Sequence, residues 1–267
     1  AVSSIYNETT IADQIHTKWA GKTVHFAREM DSTNLWIKRL AKEGASEGTL
    51  ALAEFQSAGR GRLGRSWEVP EGTSVMMSIL LRPKFEPQYA PTLTLVMGMA
   101  VAKAVKNLGF DVSIKWPNDV VVSHKKICGI LTEMGVRDGK IDYAVIGVGI
   151  NVNIKGFPEE MADKATSLYL EAGREFDRSQ IPGLVMEAFE GYYEKFAATC
   201  DLSGLKDEYE SILANYNQPV RVLAKEPYEG IARGITDGGE LLVEKEDGTI
   251  TAVSAGEVSV RGLYSYV

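Results

Sequence analysis

Gly59, Gly61 and Gly64 spell G-x-G-x-x-G, the pattern that in doubly wound dinucleotide folds joins a strand to the helix receiving a pyrophosphate. That arrangement needs a helix to open directly after the glycines, and here Pro70 and Gly72 interrupt the stretch that follows. The chain is therefore steered away from a parallel doubly wound sheet. What remains is a glycine-rich loop entered from a strand, because Thr49 to Phe55 is an apolar run of strand length. From Gly59 to Arg65 the loop holds three arginines and three glycines in seven residues. Arginine's planar fork suits carboxylates and phosphates, and glycine lets backbone N–H groups approach them. A solvated Arg/Gly loop without a ligand is the alternative reading.

The rest of the composition narrows the class. The chain has 267 residues, 45% hydrophobic and 24% charged, enough for one good-sized core and a small satellite. A net charge of −7 argues against a body adapted to nucleic acid, while leaving room for a local basic site. Two cysteines, Cys128 and Cys200, form neither a C-x-x-C pair nor a disulfide framework, which points to a reducing cytoplasm. No apolar run has the length of a membrane span, so no membrane partner is expected. His16, His25 and His124 make no metal spacing and no nucleophile–base pattern, which disfavours zinc or histidine-base chemistry.

Taken in order, the chain predicts a short helix from Thr9 to near Gly21, with Ile11, Ile15 and Trp19 on one side, as a lead-in over 1–21. A strand at Thr23 to Ala27 delivers Asp31-Ser32-Thr33-Asn34 to a second helix that stops at Gly44. One N-cap needs one such residue, so this run is either plain capping or a cap with spare donors and acceptors for a ligand. Ser74 to Leu81 reads as a buried strand and Pro91 to Leu108 as a long apolar helix whose methionines are core filler. Val112 to Lys115, Val120 to Val122 and Ile127 to Glu133 read as strands of a hairpin pair around Lys115-Trp116-Pro117-Asn118-Asp119 and Lys126. Isolated lysines are solvated by default, but these two flank a turn that also presents an amide and a carboxylate. Asp119 is a candidate magnesium ligand or simply a turn residue. Ile141 to Asn153 is a glycine-bearing strand with Asn151 at its far end, followed by helices from Ser179 to Ala198 and Leu205 to Ala214. Around Gln218 the pattern changes to five short strands divided by Asp-Gly turns, which suggests a small barrel over 217–267.

The candidate site thus offers cations and one possible metal carboxylate, without an activated nucleophile or evident general base. Such a set suits the joining of two anions, where positive groups stabilise charge that grows in the transition state. Gly59 to Trp67, Lys115-Trp116-Pro117-Asn118-Asp119, Lys126-Ile127-Cys128-Gly129-Ile130-Leu131 and Gly147-Val148-Gly149-Ile150-Asn151, in this order and spacing, resemble the motif set of the biotin protein ligases.

The resemblance implies an α+β fold. A catalytic domain over 22–216 would be built around a mixed sheet similar to that of class II aminoacyl-tRNA synthetases, and an SH3-like β-barrel would follow over 217–267. It implies that biotin and ATP with Mg2+ give biotinyl-5′-adenylate, and that the biotinyl group passes to a lysine of a biotin carboxyl carrier protein or domain, such as that of acetyl-CoA carboxylase. Ser32, Thr33, Asn34 and Gln56 would border biotin. Arg60, Gly61 and Arg62 would close over biotin and adenylate, and Lys126 would contact the biotin carboxyl and the α-phosphate. Arg65, Trp67, Lys115, Asn118, Asp119 and Asn151 would serve the nucleotide, Asp119 through magnesium. Lys126 and Arg62 are the expected catalytic pair. Leu63 stands where many relatives carry another basic residue. Only about twenty residues precede the catalytic pattern, so no operator DNA binding is expected of this chain, and a homodimer is one of the assemblies implied. The alternatives are a lipoate ligase-like acyltransferase and a non-catalytic biotin sensor.

Overall fold

The computed structural model describes residues 5–59, 69–255 and 259–262. Two sheets organise them. The first has seven strands: β1 (Val24–Met30), β2 (Leu50–Gln56), β3 (Ser74–Leu81), β4 (Val112–Lys115), β5 (Asp119–Val122), β6 (Lys125–Arg137) and β7 (Lys140–Asn151), in the spatial order β1-β2-β3-β7-β6-β5-β4. Only β1 and β2 run parallel; every other neighbour is antiparallel, so the sheet is mixed as expected. The parallel step is made by α2 (Thr33–Lys42), which crosses from one strand to the next.

Alternation along the strands divides the sheet into two faces of different character. On β3, Val75, Met77, Ile79 and Leu81 join the main core, beneath α3 (Thr92–Asn107) and α5 (Ile181–Thr199). Leu80 instead packs with Ile37 and Ala41 of α2, together with Ala51, Tyr143 and Val145. The α2 face is only partly covered by its helix. Ser74, Met76, Gly129, Leu131, Gly147 and Gly149 line a cavity there. Both α3 and α5 are apolar around most of their circumference, as helices sandwiched between sheet and neighbour must be.

The N-terminal helix is shorter than its periodicity predicts. Asn7 accepts from Thr10 N and its own N–H is taken by Thr10 Oγ1, a reciprocal cap that starts α1 (Glu8–Ala12). Ile11 and Ile15 are buried as expected, but the helix does not continue toward Trp19. The N–H groups of Lys18, Trp19 and Ala20 are taken by the buried Glu190 carboxylate on α5, which leaves none of them for a helical carbonyl. Burial alone would raise the Glu190 pKa; the N–H groups of Ala20, Lys18 and Trp19 outweigh it and hold the carboxyl below its usual range.

Two short helices follow, α4 (Leu168–Ala172) between β7 and α5, and α6 (Lys206–Ser211) just before the second sheet. The first was not expected; Ser167 caps it and left-handed Gly173 ends it. The second sheet is antiparallel, with β8 (Pro219–Leu223), β9 (Tyr228–Ile235), β10 (Leu241–Glu244), β11 (Ile250–Val253) and β12 (Ser259–Gly262) in the order β11-β10-β9-β8-β12. It meets the first at edge strand β4. Ile114 N donates to Ile212 O and Ala214 N to Ile114 O, each at 2.8 Å, and the Trp116 indole N–H donates to Gly239 O at 2.9 Å. Gly239 has φ +84°, a conformation glycine adopts without strain, and a Cβ there would press on Leu202 and Leu95. No helix among the described residues is long and apolar enough to cross a membrane.

Candidate active site

A cavity of about 710 Å³ opens on the α2 face of the seven-stranded sheet. Every expected site residue that the structure describes lines it: Ser32, Thr33, Asn34, Gln56, Lys115, Asn118, Asp119, Lys126 and Asn151. These come from the start of α2, the end of β2, the β4–β5 turn, β6 and the end of β7. Arg60, Gly61, Arg62, Arg65 and Trp67 lie outside the described residues, but Gly59 and Val69 on either side both line the cavity.

One end of the cavity is a neutral and acidic hydrogen-bond network. Ser32 is the N-cap of α2, accepting from Leu35 N at 3.0 Å, so part of the polar run is capping. The next two residues do something else. Thr33 N donates to Gln56 Oε1 at 2.8 Å, and Thr33 Oγ1 lies 2.6 Å from Ser78 Oγ. Ser78 donates to Asn34 Oδ1 at 2.5 Å, and Asn34 Nδ2 donates to Glu133 Oε1 at 2.9 Å. Lys38 closes the line, its ammonium 2.7 Å from Glu133 Oε2. Gly147 is required here, since a Cβ at that position would collide with Asn34 Oδ1.

The other end is cationic. Lys126 Nζ sits 3.2 Å from Asp119 Oδ1, with the lysine side chain 40% exposed and the aspartate 13%. The Lys126 backbone is fixed independently of that contact, its N–H donating to Lys164 O at 2.8 Å and its carbonyl accepting from Thr166 N at 2.9 Å. Lys115 is buried in the cavity wall. Asn118 donates to Ile130 O at 3.1 Å and Asn151 to Thr166 O at 3.2 Å. The adjacent Trp116 is fully buried and points away into the junction with the second sheet. Val260 and Arg261 of β12 complete this side. Cys128 is no candidate nucleophile, because burial pushes its thiol well above the usual range. Among the described residues no group of three or more His, Cys, Asp or Glu is arranged to hold a metal.

Three contributors escaped sequence reasoning. Ser78 looks like one polar residue in an apolar strand, Glu133 like the end of a hairpin strand, and Arg261 like a charge on a distal β-strand. Only the first left a usable signal, a small hydroxyl in phase with Ser74 within an otherwise apolar strand.

Comparison with known proteins agrees with this architecture. Residues 26–151 match the model of the biotin/lipoate A/B protein ligase family, and residues 216–261 match the biotin protein ligase C terminal domain. The chain is 36% identical over 253 residues to the bifunctional ligase/repressor BirA of Bacillus subtilis, covering 93% of this chain and 78% of that protein. It is 30% identical over 259 residues to the biotin--[acetyl-CoA-carboxylase] ligase of Mycobacterium tuberculosis, covering 94% of each. Among solved structures, a biotin protein ligase from Aquifex aeolicus in complex with biotin and ATP superposes with a TM-score of 0.77 at 33% identity, over 90% of this chain and 99% of that one. With the mixed sheet, the C-terminal antiparallel sheet and the three fully described motifs gathered at one cavity, these matches make the chain a member of the biotin protein ligase family.

Proposed function

We propose that this chain activates biotin with ATP to form biotinyl-5′-adenylate and then transfers the biotinyl group to a lysine of a biotin carboxyl carrier domain. The observation that carries the reading is the polarity of the cavity, with a network of directed amide and hydroxyl groups at one end and lysines at the other. A ureido ring needs the first and a carboxylate meeting a phosphate needs the second. The C-terminal match, to a domain named for biotin protein ligases, favours biotin over lipoate.

In the first half-reaction a biotin carboxylate oxygen attacks the α-phosphorus, and the bond from that phosphorus to the departing pyrophosphate breaks. Lys126, backed by the 164–166 segment, holds the carboxylate and a phosphate oxygen together and offsets their repulsion. Lys115 faces the nucleotide, with Asn118 and Asn151 donating to its polar groups. In the second half-reaction the acceptor lysine's amine attacks the acyl carbon and AMP leaves. Arg60, Gly61 and Arg62 act as the cover that keeps water from the mixed anhydride, with Arg65 and Trp67 on the nucleotide side. Asp119 is a single carboxylate already contacting Lys126, which fits a magnesium ion carried in on ATP's phosphates rather than one caged by protein. Bound there, magnesium would neutralise phosphate charge.

Incubating the protein with biotin, ATP, magnesium and a carrier domain, and reading the carrier's mass, tests the reading. One biotinyl increment is expected, with none when lipoate replaces biotin. Biotin binding without any labelled carrier would point to a sensor, and labelling only with lipoate to the acyltransferase alternative.

A further inference from the structure

The hydrogen-bond network beneath the polar end of the cavity has a direction that its chemistry fixes. Glu133, an ionised carboxylate held by the Lys38 ammonium, can only accept, so Asn34 must turn its Nδ2 toward it and its Oδ1 toward Ser78. Oδ1 in turn only accepts, so the single Ser78 proton is spent on it at 2.5 Å. The 2.6 Å contact between Ser78 Oγ and Thr33 Oγ1 then needs the Thr33 proton, for which Gln56 Oε1 at 3.2 Å is the weaker, competing acceptor. With that proton committed, any bond that Thr33 Oγ1 makes to a ligand is one in which it accepts. The neighbouring Gln56 is set the opposite way. Its Oε1 is occupied by Thr33 N–H at 2.8 Å, which leaves Nε2 as its donor.

We propose that Glu133 and Ser78 are positioning residues that orient this chain of protons and so make the cavity select a ligand offering an N–H beside a carbonyl. The identity of that ligand as biotin rests on the function proposed above, and a ureido edge has this pattern. Neither residue needs to touch the ligand. Each acts through the hydroxyl of Thr33, and Gly147 is the opening that lets Asn34 sit at the required depth.

The test uses the whole chain, titrated calorimetrically with biotin and with a cyclic carbamate analogue in which one ureido N–H is replaced by a ring oxygen. Wild type prefers biotin by about tenfold or more, because the ring oxygen faces a hydroxyl that can only accept. In Ser78→Ala the Thr33 hydroxyl is free to turn and donate, so biotin binds about tenfold more weakly while the preference over the carbamate falls at least about fivefold. Glu133→Met lets the Asn34 amide reverse and moves the preference the same way, and its partly exposed position protects the fold. Glu133→Gln keeps an acceptor for Asn34 and retains most of the preference. Equal losses for both ligands in Ser78→Ala and Glu133→Met, with the preference intact, would mean that these residues only pack, and the proposal falls. If wild type binds no biotin, the function proposed above fails first and takes the ligand assignment with it.

Discussion

Replacing Lys126 by alanine isolates the contribution of one ammonium to adenylation. The backbone of residue 126 is pinned by Lys164 O and Thr166 N, so the substitution removes the side chain without releasing the strand. Two magnitudes separate its effects. As a contribution to stability, a 3.2 Å ion pair whose lysine is 40% exposed is worth about 0–1 kcal/mol. For a protein of this size that is a melting shift of about 2–4 °C at most. As a transition-state donor between a carboxylate and a phosphate, the same group is worth about 2–4 kcal/mol. Its partial exposure favours the lower half of that range, so single-turnover pyrophosphate release should slow by about 30- to 150-fold. The assay mixes excess enzyme with biotin and MgATP and follows pyrophosphate, alongside a thermal melt. A variant that melts normally and releases pyrophosphate within about threefold of wild type would remove Lys126 from the chemistry.

Arg62→Ala is expected to activate biotin but lose the intermediate, so free biotinyl-adenylate should accumulate in solution; an adenylate retained as in wild type argues against a sealing role. Trp116→Phe deletes the indole donor to Gly239 O and leaves that buried carbonyl unpaired, which should cost roughly 1–2 kcal/mol in urea unfolding; an unchanged midpoint would show that the junction does not rely on it. Glu190→Gln tests the anchor of the 18–20 segment. Because the folded carboxyl lies below its usual value, its stabilisation is complete above the unfolded glutamate pKa of about 4.3 and fades as the pH drops through the lower folded value. Wild type should therefore lose denaturant resistance between roughly pH 5 and 3 more steeply than the glutamine variant, and parallel profiles would refute the assignment.

What could be read from the sequence depended on whether the determinant was local. Strand β3 and the five short C-terminal strands were legible almost to the residue, because an apolar run of strand length and closely spaced Asp-Gly turns are near-neighbour signals. The cationic end of the site was legible through its compact motif around Lys115 to Lys126. The lead-in helix was overextended because the groups that end it are accepted by Glu190, some 170 residues away. Ser78 and Glu133 were missed for the same reason. Their meaning comes from register, with Glu133 opposite Val145 and Ser78 opposite Gly147 on neighbouring strands. Arg178 likewise joins Glu54 across 124 residues and rests on the Tyr6 ring, a union with no local trace.

Strand β3 interleaves two separate messages. Its odd positions, Val75, Met77 and Ile79, hold the protein together, while of its even ones Ser74 and Met76 line the cavity and Ser78 lies buried beneath Thr33. A single inserted or deleted residue would exchange the two sets and damage both at once. Point changes at the two cavity-lining even positions leave the scaffold's own lettering intact, so Met76 is where the cavity's shape can be retuned with the least disturbance.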